Sequence, residues 1–373
     1  MNARLEIDPA ALRANLARIR ALIAPAGVAA VVKANAYGHG LVPVARALAG
    51  SADLLCVFSV DEATALREAG IETPLLVIGP AGPSELPAAL AARAAITLWS
   101  AGAYARDVAR AAAAAGRPFP VHLKIETGVG RFGVEPERAA ALFAALDAAP
   151  EVVAIRGAFT HLAAAEELES AFTRDQLHRF DEALAPLGDL KSRGILRHAA
   201  ASAAAMLYPE SRYDLTRIGI ATYGIWPSPQ TLAAAGKRLV LEPALRWTSP
   251  FVVVREVEAG RSIGYGCTYA TTRPSRIGVL PIGYAEGIPR SAGARAQVLV
   301  CGKRAPLVGR ICMNASFVDL TEIPQAHAGS QATLLGRDGT DAIGAEEWAN
   351  WAGTIAYEIV ARLPEALPRF VRA

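Results

Sequence analysis

The sequence has 373 residues, 53% of them hydrophobic and 20% charged, and a formal net charge of +3. This balance excludes a disordered or fibrous protein, and so small a positive charge is not typical of a nucleic-acid-binding surface. The length suits two domains, or one large barrel with an addition. No apolar run reaches the roughly 18 residues of a membrane span. The charged N-terminus is unlike a signal peptide, and four scattered cysteines are typical of a reduced, cytoplasmic protein.

Short apolar runs alternate with alanine-rich helical segments over the first two-thirds of the chain. Asp8 and Pro9 predict the start of the first helix, because Asp caps free N–H groups and Pro needs none. Strands are predicted at 28–33, 53–58, 74–78, 95–98, 120–126, 155–160, 195–199 and 216–220, and helices at 61–69, 100–115, 136–149 and 166–185. Eight strand–helix repeats over about 230 residues favour a (β/α)8 TIM barrel, with a doubly wound open sheet as the alternative.

The pattern changes near residue 236, where β-type runs separated by turn residues become dominant. Strands are predicted at 251–257, 277–281, 297–301, 317–320 and 332–335, followed by helices at 346–351 and 355–363. We therefore predict an α/β barrel domain over residues 1–235 and a second, mostly β domain over residues 236–373.

Polar residues interrupt the ends of several predicted barrel strands, where barrel enzymes place their active sites. Lys33 ends the first strand, and burial there would lower the lysine pKa and free an amine for a Schiff base. The structural alternative is a lysine whose ammonium group reaches the surface. His161 follows the sixth strand, Ser202 the seventh and Arg217 lies in the eighth. Loops after the last two strands often bind phosphate.

The segment from Gly128 to Gly133 contains a literal G-x-G-x-x-G motif. A dinucleotide site would need an acidic residue at the end of the next strand, which instead ends in Thr160 and His161. We therefore rank the dinucleotide interpretation last. Arg131, a fixed cation on this glycine loop, is more informative because it can bind a carboxylate or phenolate.

Two tyrosines of the second domain, Tyr265 and Tyr284, each follow a glycine and lie within glycine-containing segments. These two tyrosine segments and the segments 309–314 and 354–358 all come after the barrel motifs along the chain. The segment Val-Val-Lys33-Ala-Asn-Ala-Tyr37-Gly-His-Gly is the longest and most specific of them. In this combination the sequence resembles the alanine racemases, which depend on pyridoxal 5'-phosphate (PLP).

The resemblance implies a PLP-binding barrel, a β domain and a homodimer whose active site is shared between subunits. Lys33 would hold PLP and act as one base, and Tyr265 of the partner subunit would be the other base. The resemblance also implies that PLP is bound by Tyr37, Arg131, His161, Ser202, Arg217, Gly219, Ile220 and Tyr357. Arg131 and Met313 would bind the substrate, and Tyr284, Arg290, Arg310 and Ile355 would form the substrate entrance. Lys124 would be carbamylated.

The reaction explains these residue types. Racemisation removes the α-proton from one face and returns it to the other, so two opposed bases are expected. A tyrosine needs a cationic or hydrogen-bonded neighbour to act as a base near neutrality, and Arg217 acting through His161 would supply one. Arginine keeps its proton, so the pyridine nitrogen of PLP should stay unprotonated, which disfavours side reactions.

Several positions depart from the common family pattern, and none of them removes a catalytic group. These are Glu126, Val129, Glu166, Ala201, Ile218 and Asn314. Asn314 removes a negative charge near the substrate carboxylate. The sequence thus predicts interconversion of L- and D-alanine, supplying D-alanine for peptidoglycan or serving alanine catabolism.

Three other functions stay open at this point. They are a broad-specificity amino-acid racemase, a PLP-dependent decarboxylase of basic amino acids, and a PLP carrier without catalytic activity. Decarboxylases of this architecture usually place an acidic residue at the pyridine nitrogen, and Arg217 argues against them. The carriers resemble the barrel alone.

Overall fold

The computed structural model describes residues 3–372, which form two large sheets and one small one. The first strand, β1 (Arg4–Ile7), belongs to the larger sheet. The barrel strands that follow are β2 (Gly27–Val31), β3 (Leu54–Val57), β4 (Leu75–Val77), β5 (Ala94–Leu98), β6 (Phe119–Lys124), β7 (Val153–Phe159), β8 (Leu196–His198) and β9 (Leu215–Ile218).

The eight barrel strands pair in parallel, in the order β8-β7-β6-β5-β4-β3-β2-β9. The two end strands meet through the Asp214 N–H, which donates to the Arg197 carbonyl at 3.1 Å, and the Arg217 N–H, which donates to the Ala200 carbonyl at 2.9 Å. The sheet therefore closes, and the predicted (β/α)8 barrel is confirmed over the open-sheet alternative.

Helices precede, connect and follow the barrel strands, at Pro9–Ile23, Leu41–Leu48, Val60–Glu68, Leu86–Ala91, Ala103–Ala115, Pro136–Asp147, Ala171–Leu184, Ser202–Leu207 and Pro229–Ala235. The first begins as predicted, with the Asp8 carboxylate accepting from the N–H groups of Ala10 and Ala11 at 2.9 and 3.0 Å. The helix predicted from residue 166 begins only at Ala171, because the Ser170 hydroxyl caps it by accepting from the Thr173 N–H.

The barrel interior is divided between apolar and polar sides. Alternate residues of β2 to β5, with Leu215 of β9, form one buried apolar cluster. The polar side chains of β6, β8 and β9 are also buried: His122, Lys124, His198 and Arg217. Charged groups are rarely buried without partners. Their presence here indicates a functional site in this half of the barrel.

The second sheet is mostly antiparallel, and its strands are β10 (Leu245–Pro250), β11 (Val253–Val257), β14 (Ser275–Leu280), β15 (Gln297–Val300), β16 (Lys303–Val308), β17 (Ser316–Asp319), β18 (Gln331–Asp338), β19 (Asp341–Ile343) and β20 (Arg369–Val371), together with β1. A separate hairpin pairs β12 (Ser262–Ile263) with β13 (Tyr269–Ala270). The predicted helix pair forms at Ala345–Ala352 and Ala356–Ala361. The mostly β character of this region is confirmed.

Strand β1 corrects the predicted assignment of the first residues to the barrel. It pairs antiparallel with β10 and parallel with β20, because the alternating pattern of Arg4–Ile7 completes a sheet far along the chain. The buried Asn15 also links the two regions, since its side chain bonds the N–H and the carbonyl of Glu242. The domain boundary near residue 236 stays a prediction.

Candidate active site

Polar side chains at one end of the barrel open into a single cavity of about 750 Å³. The carboxyl ends of parallel barrel strands meet at one rim, which is why residues distant in sequence converge here. The cavity brings together the predicted site residues Lys33, Tyr37, Lys124, Arg131, His161, Ser202, Arg217, Gly219, Ile220, Ile355 and Tyr357. Their individual roles stay predictions.

Lys33 follows β2 and stands at the start of a left-handed turn. Residues 34–37 all have φ between 52° and 54°, a conformation that costs non-glycine residues about 1–2 kcal/mol each. Hydrogen bonds hold the turn: the Asn35 side chain accepts from the Leu41 N–H at 2.8 Å, and the Asn35 carbonyl accepts from the Gly40 N–H at 2.9 Å. Such strain is typical of functional sites, and here it fixes the backbone beside the lysine.

The environment of Lys33 favours its neutral amine. Burial lowers the pKa of Lys33, and the nearby positive charge of Arg131 lowers it further. Glu62 acts in the opposite direction but is outweighed. A neutral amine is the nucleophilic form of lysine, so the geometry supports covalent chemistry at this side chain.

Arg217 lies in β9 and is held by neutral acceptors. One terminal nitrogen, Nη1, donates to the His198 carbonyl at 2.8 Å and lies 2.9 Å from His198 Nδ1. The other, Nη2, donates to the carbonyls of Thr160 and Ala199 at 2.7 and 2.9 Å and lies 3.4 Å from His161 Nδ1. Among the described residues, the Nε–H group is left as the guanidinium donor without a protein acceptor.

Arg217 and the neighbouring His161 differ in charge at neutral pH. Burial lowers the pKa of Arg217 to about 10, so the guanidinium stays protonated at neutral pH. Burial and the Arg217 charge lower the pKa of His161 to about 3, so the imidazole stays neutral. The predicted contact between the two residues is present.

Lys124 ends β6 and is almost fully buried. Its ammonium donates to the Phe132 carbonyl and lies 3.8 Å from a carboxylate oxygen of Glu126. Burial lowers the pKa of Lys124 to about 8 despite Glu126, with Arg131 contributing in the same direction. The side chain therefore has an accessible neutral form beside Arg131.

Glu126 organises the glycine loop that carries Arg131. Its carboxylate accepts from the N–H groups of Gly128, Gly130 and Arg131 at 2.7, 3.0 and 3.3 Å. Burial raises the pKa of Glu126, but these three hydrogen bonds outweigh burial and the net pKa is lowered. The amides that a dinucleotide phosphate would need are already taken, which removes the main support for that interpretation.

Hydroxyl groups gather at the end of the cavity near β9. The Ser202 hydroxyl accepts from the Gly219 N–H at 3.0 Å. A Cβ atom at Gly219 would lie 2.4 Å from the Tyr37 hydroxyl oxygen, so only glycine admits the phenol. The Tyr37 and Tyr357 rings lie 6.3 Å apart, and burial raises both phenol pKa values. Both groups therefore stay neutral donors, suited to phosphate oxygens.

Tyr265 and Met313 lie on the β domain, outside the barrel cavity. They line a separate depression with Gly264, Cys312 and Asn314, and Tyr265 is 72% exposed. Neither Tyr265 nor Met313 is among the residues that line the cavity around Lys33. The predicted contribution from a second subunit is consistent with this placement.

The predicted entrance residues do not line one common cavity in the single chain. Tyr284 and Arg290 line another surface depression, whereas Ile355 lines the barrel cavity. Arg310 packs against the backbone of Gly266, beside Tyr265, where an added Cβ would approach its guanidinium to 2.7 Å.

Two buried histidines, His122 and His198, were not predicted from the sequence. His122 lies two residues before Lys124 on the same strand, and side chains two apart in a strand share a face. That spacing was the available signal. Gln176 was also missed: its side chain donates to the His161 carbonyl at 3.0 Å and accepts from the Ala163 N–H.

Comparison with known proteins places the chain in a class of two-domain isomerases. The family models for the alanine racemase N-terminal and C-terminal domains match residues 7–227 and 244–371. An alanine racemase of Symbiobacterium thermophilum is 42% identical over 366 residues, covering 98% of this chain and 96% of the relative. The chain belongs to the alanine racemase family.

Solved structures agree with this assignment. An alanine racemase of Streptomyces lavendulae has a TM-score of 0.91 at 38% identity, covering 100% of this chain and 97% of that one. An alanine racemase of Bacillus anthracis with bound L-Ala-P has a TM-score of 0.87 at 34% identity, covering 100% and 95%. Among the described helices, none combines the length and apolar character that a membrane span requires.

Proposed function

We propose that this chain interconverts L- and D-alanine with PLP and two bases, Lys33 and Tyr265. One observation carries the proposal. A lysine with a lowered pKa, Lys33, lines the same cavity as the charged Arg131 and Arg217 and several neutral hydroxyl donors. Family membership and the alanine analogue bound by the Bacillus anthracis relative support alanine as the substrate.

The residues present fit PLP. Lys33 offers an amine for its aldehyde, and Tyr37, Ser202, Ile220 and Tyr357 would bind its phosphate, as the close approach of Gly219 and Tyr37 suggests. Arg131 and His161 line the same cavity and would complete the cofactor contacts. When bound, PLP supplies an electron sink for the α-carbon of an amino acid.

The chain's own residues set the course of the reaction. Arg217 keeps its proton at neutral pH and would offer a hydrogen bond, not a proton, to the pyridine nitrogen. Arg131 and the Met313 backbone would bind the substrate carboxylate. The Lys33 amine and the Tyr265 phenol would remove and return the α-proton on opposite faces.

The two bases would come from two copies of the chain, and the exposure of Tyr265 on a depression separate from the Lys33 cavity supports this. We therefore propose a homodimer with shared active sites, in which Tyr284, Arg290, Arg310 and Ile355 form the entrance. We further propose that Lys124 is carbamylated, since a lysine with a pKa of about 8 offers a neutral amine to carbon dioxide. The four free cysteines support a cytoplasmic location, where the product D-alanine would serve peptidoglycan synthesis or alanine catabolism.

Chiral analysis of L-alanine incubated with the protein and PLP tests the reaction, with L-serine and L-lysine in parallel. We expect D-alanine as the main product. Equal activity on all three substrates would indicate a broad-specificity racemase, and carbon dioxide release from lysine would indicate a decarboxylase. Lys33→Ala should lose the absorbance of covalently bound cofactor, and a band that survives dialysis would contradict the role of Lys33.

Mixing variants tests the shared site. Lys33→Ala and Tyr265→Phe homodimers should each be inactive, whereas subunit exchange yields heterodimers with one intact and one doubly altered site. Random exchange of a symmetric dimer should restore about a quarter of the wild-type activity. No recovery, with heterodimers demonstrated by mass, would place both bases in one chain.

A further inference from the structure

Two buried histidines lie behind Arg217 inside the barrel, and the proposed reaction does not use them. His122 is 3% exposed and His198 is fully buried. His122 Nδ1 lies 2.9 Å from His198 Nε2, and His198 Nδ1 lies 2.9 Å from Arg217 Nη1. The three side chains therefore form one line from the cavity into the barrel.

The chemistry of Arg217 fixes the direction of every hydrogen bond in this line. A guanidinium only donates, so His198 Nδ1 must accept. Burial holds the pKa of His198 well below its usual value, so the ring is neutral and its proton lies on Nε2. That proton is directed at His122 Nδ1, which must accept in turn. His122 is neutral as well, because burial lowers its pKa to about 3.

The barrel makes specific room for His122. The register of β6 and β7 shifts between Val121 and His122, and the residue opposite His122 is Gly157. A Cβ atom at Gly157 would lie 2.4 Å from His122 Nδ1. The Phe159 ring stacks on His198 with centroids 4.8 Å apart and planes inclined by 6°, which fixes the orientation of that ring.

We propose that His122 is a positioning residue, which acts through His198 to hold the Arg217 guanidinium with its Nε–H group free for the cavity. Without an acceptor at His122, the Nε2–H of His198 is buried without a partner. If the proton moves to Nδ1 instead, it faces an N–H of Arg217. The first outcome leaves a buried donor unpaired behind the guanidinium, and the second replaces the acceptor that orients the guanidinium with a donor. The kinetic part of the inference rests on the proposed role of Arg217, and the tautomer part does not.

A matched pair of variants tests the proposal. His122→Asn retains an acceptor near the position of Nδ1, whereas His122→Leu removes it. His178→Leu is the control, because His178 lies on the surface with its side chain 72% exposed. The first measurement is the ¹⁵N NMR spectrum of the histidine rings in cofactor-free protein, where only six histidines contribute. We expect the Nε2–H tautomer of His198 in the wild type and in His122→Asn, and a changed signal in His122→Leu.

The second measurement is steady-state kinetics of the PLP-loaded enzyme. We expect His122→Leu to lower kcat by about 10- to 100-fold, the range for leaving one buried donor unpaired. KM should change little, since His122 does not reach the cavity, and His122→Asn should recover most of kcat. Thermal unfolding of all variants shows whether they are folded.

Three results would overturn the proposal: an Nδ1–H tautomer of His198 in the wild type, an unchanged His198 signal in His122→Leu, or equal kinetic losses in His122→Asn and His122→Leu. If His122→Leu does not fold, the wild-type and His122→Asn spectra still decide the tautomer. A wild type that neither binds PLP nor racemises alanine contradicts the proposed function instead, and leaves the tautomer result valid.

Discussion

The close contact between Gly219 and the Tyr37 phenol predicts how strongly a Gly219→Ala substitution should weaken PLP binding. A Cβ atom at Gly219 would lie 2.4 Å from the Tyr37 hydroxyl oxygen, whereas ordinary contacts begin at 3.4 Å. In Gly219→Ala the hydroxyl must therefore move by about 1 Å, which breaks a hydrogen bond of normal length. Hydrogen bonds to charged groups are worth about 1.5–3 kcal/mol. Gly219→Ala should therefore weaken PLP binding by about 10- to 150-fold.

A double-mutant cycle separates this cause from others. PLP affinity is measured by equilibrium ultrafiltration of the reconstituted apoprotein for the wild type, Gly219→Ala, Tyr37→Phe and the double variant. Because Tyr37→Phe removes the displaced hydroxyl, Gly219→Ala should cost much less in that background. The backbone φ of Gly219 is −100°, outside the left-handed region that favours glycine. Equal costs in both backgrounds would refute the reasoning, since the methyl group would then act without the hydroxyl.

Three further predictions concern Lys124, Glu126 and Asn15. The free energy of unfolding in bicarbonate-free buffer should rise between about pH 8 and 10.5. In this range the folded chain has released the Lys124 proton, whereas the unfolded chain still binds it. Urea titrations of Lys124→Met should lack this rise. Glu126→Gln should raise KM for alanine by about 5- to 30-fold through a looser glycine loop, and an unchanged KM would contradict it. Asn15→Leu should lower the free energy of unfolding by about 3 kcal/mol in guanidinium titrations, since it strands the Glu242 backbone groups; a loss below 1 kcal/mol would contradict this role.

Much of the barrel could be predicted from the sequence. Its strands are buried on both faces, so they appear as short apolar runs between helical segments. Each of the eight predicted barrel strands overlaps an observed one. The helix cap at Asp8 is a local signal of the same kind, since its side chain accepts from N–H groups two and three residues away.

The second domain was less predictable. Strands β10, β12, β13, β16, β19 and β20 were missed, and β1 was assigned to the barrel. Strand β1 is only four residues long, and its partners lie more than 200 residues away in the chain. No local pattern reports a partner so distant, because pairing depends on the fold and not on the strand alone.

The sequence alone determined the chemical types at the site and their order along the chain. Lys33, His161 and Arg217 were identified because polar groups in buried strands or at their ends conflict with the apolar pattern around them, and Arg131 because it is a cation on a glycine loop. Only the tertiary structure decided how these groups act on one another. Closure of the barrel buries Arg217 among neutral acceptors and lines it up with His198 and His122, and the resulting hydrogen-bond directions depend on distances across three strands. The tertiary structure also places Tyr265 and Lys33 on different cavities, a relation that no local sequence pattern encodes.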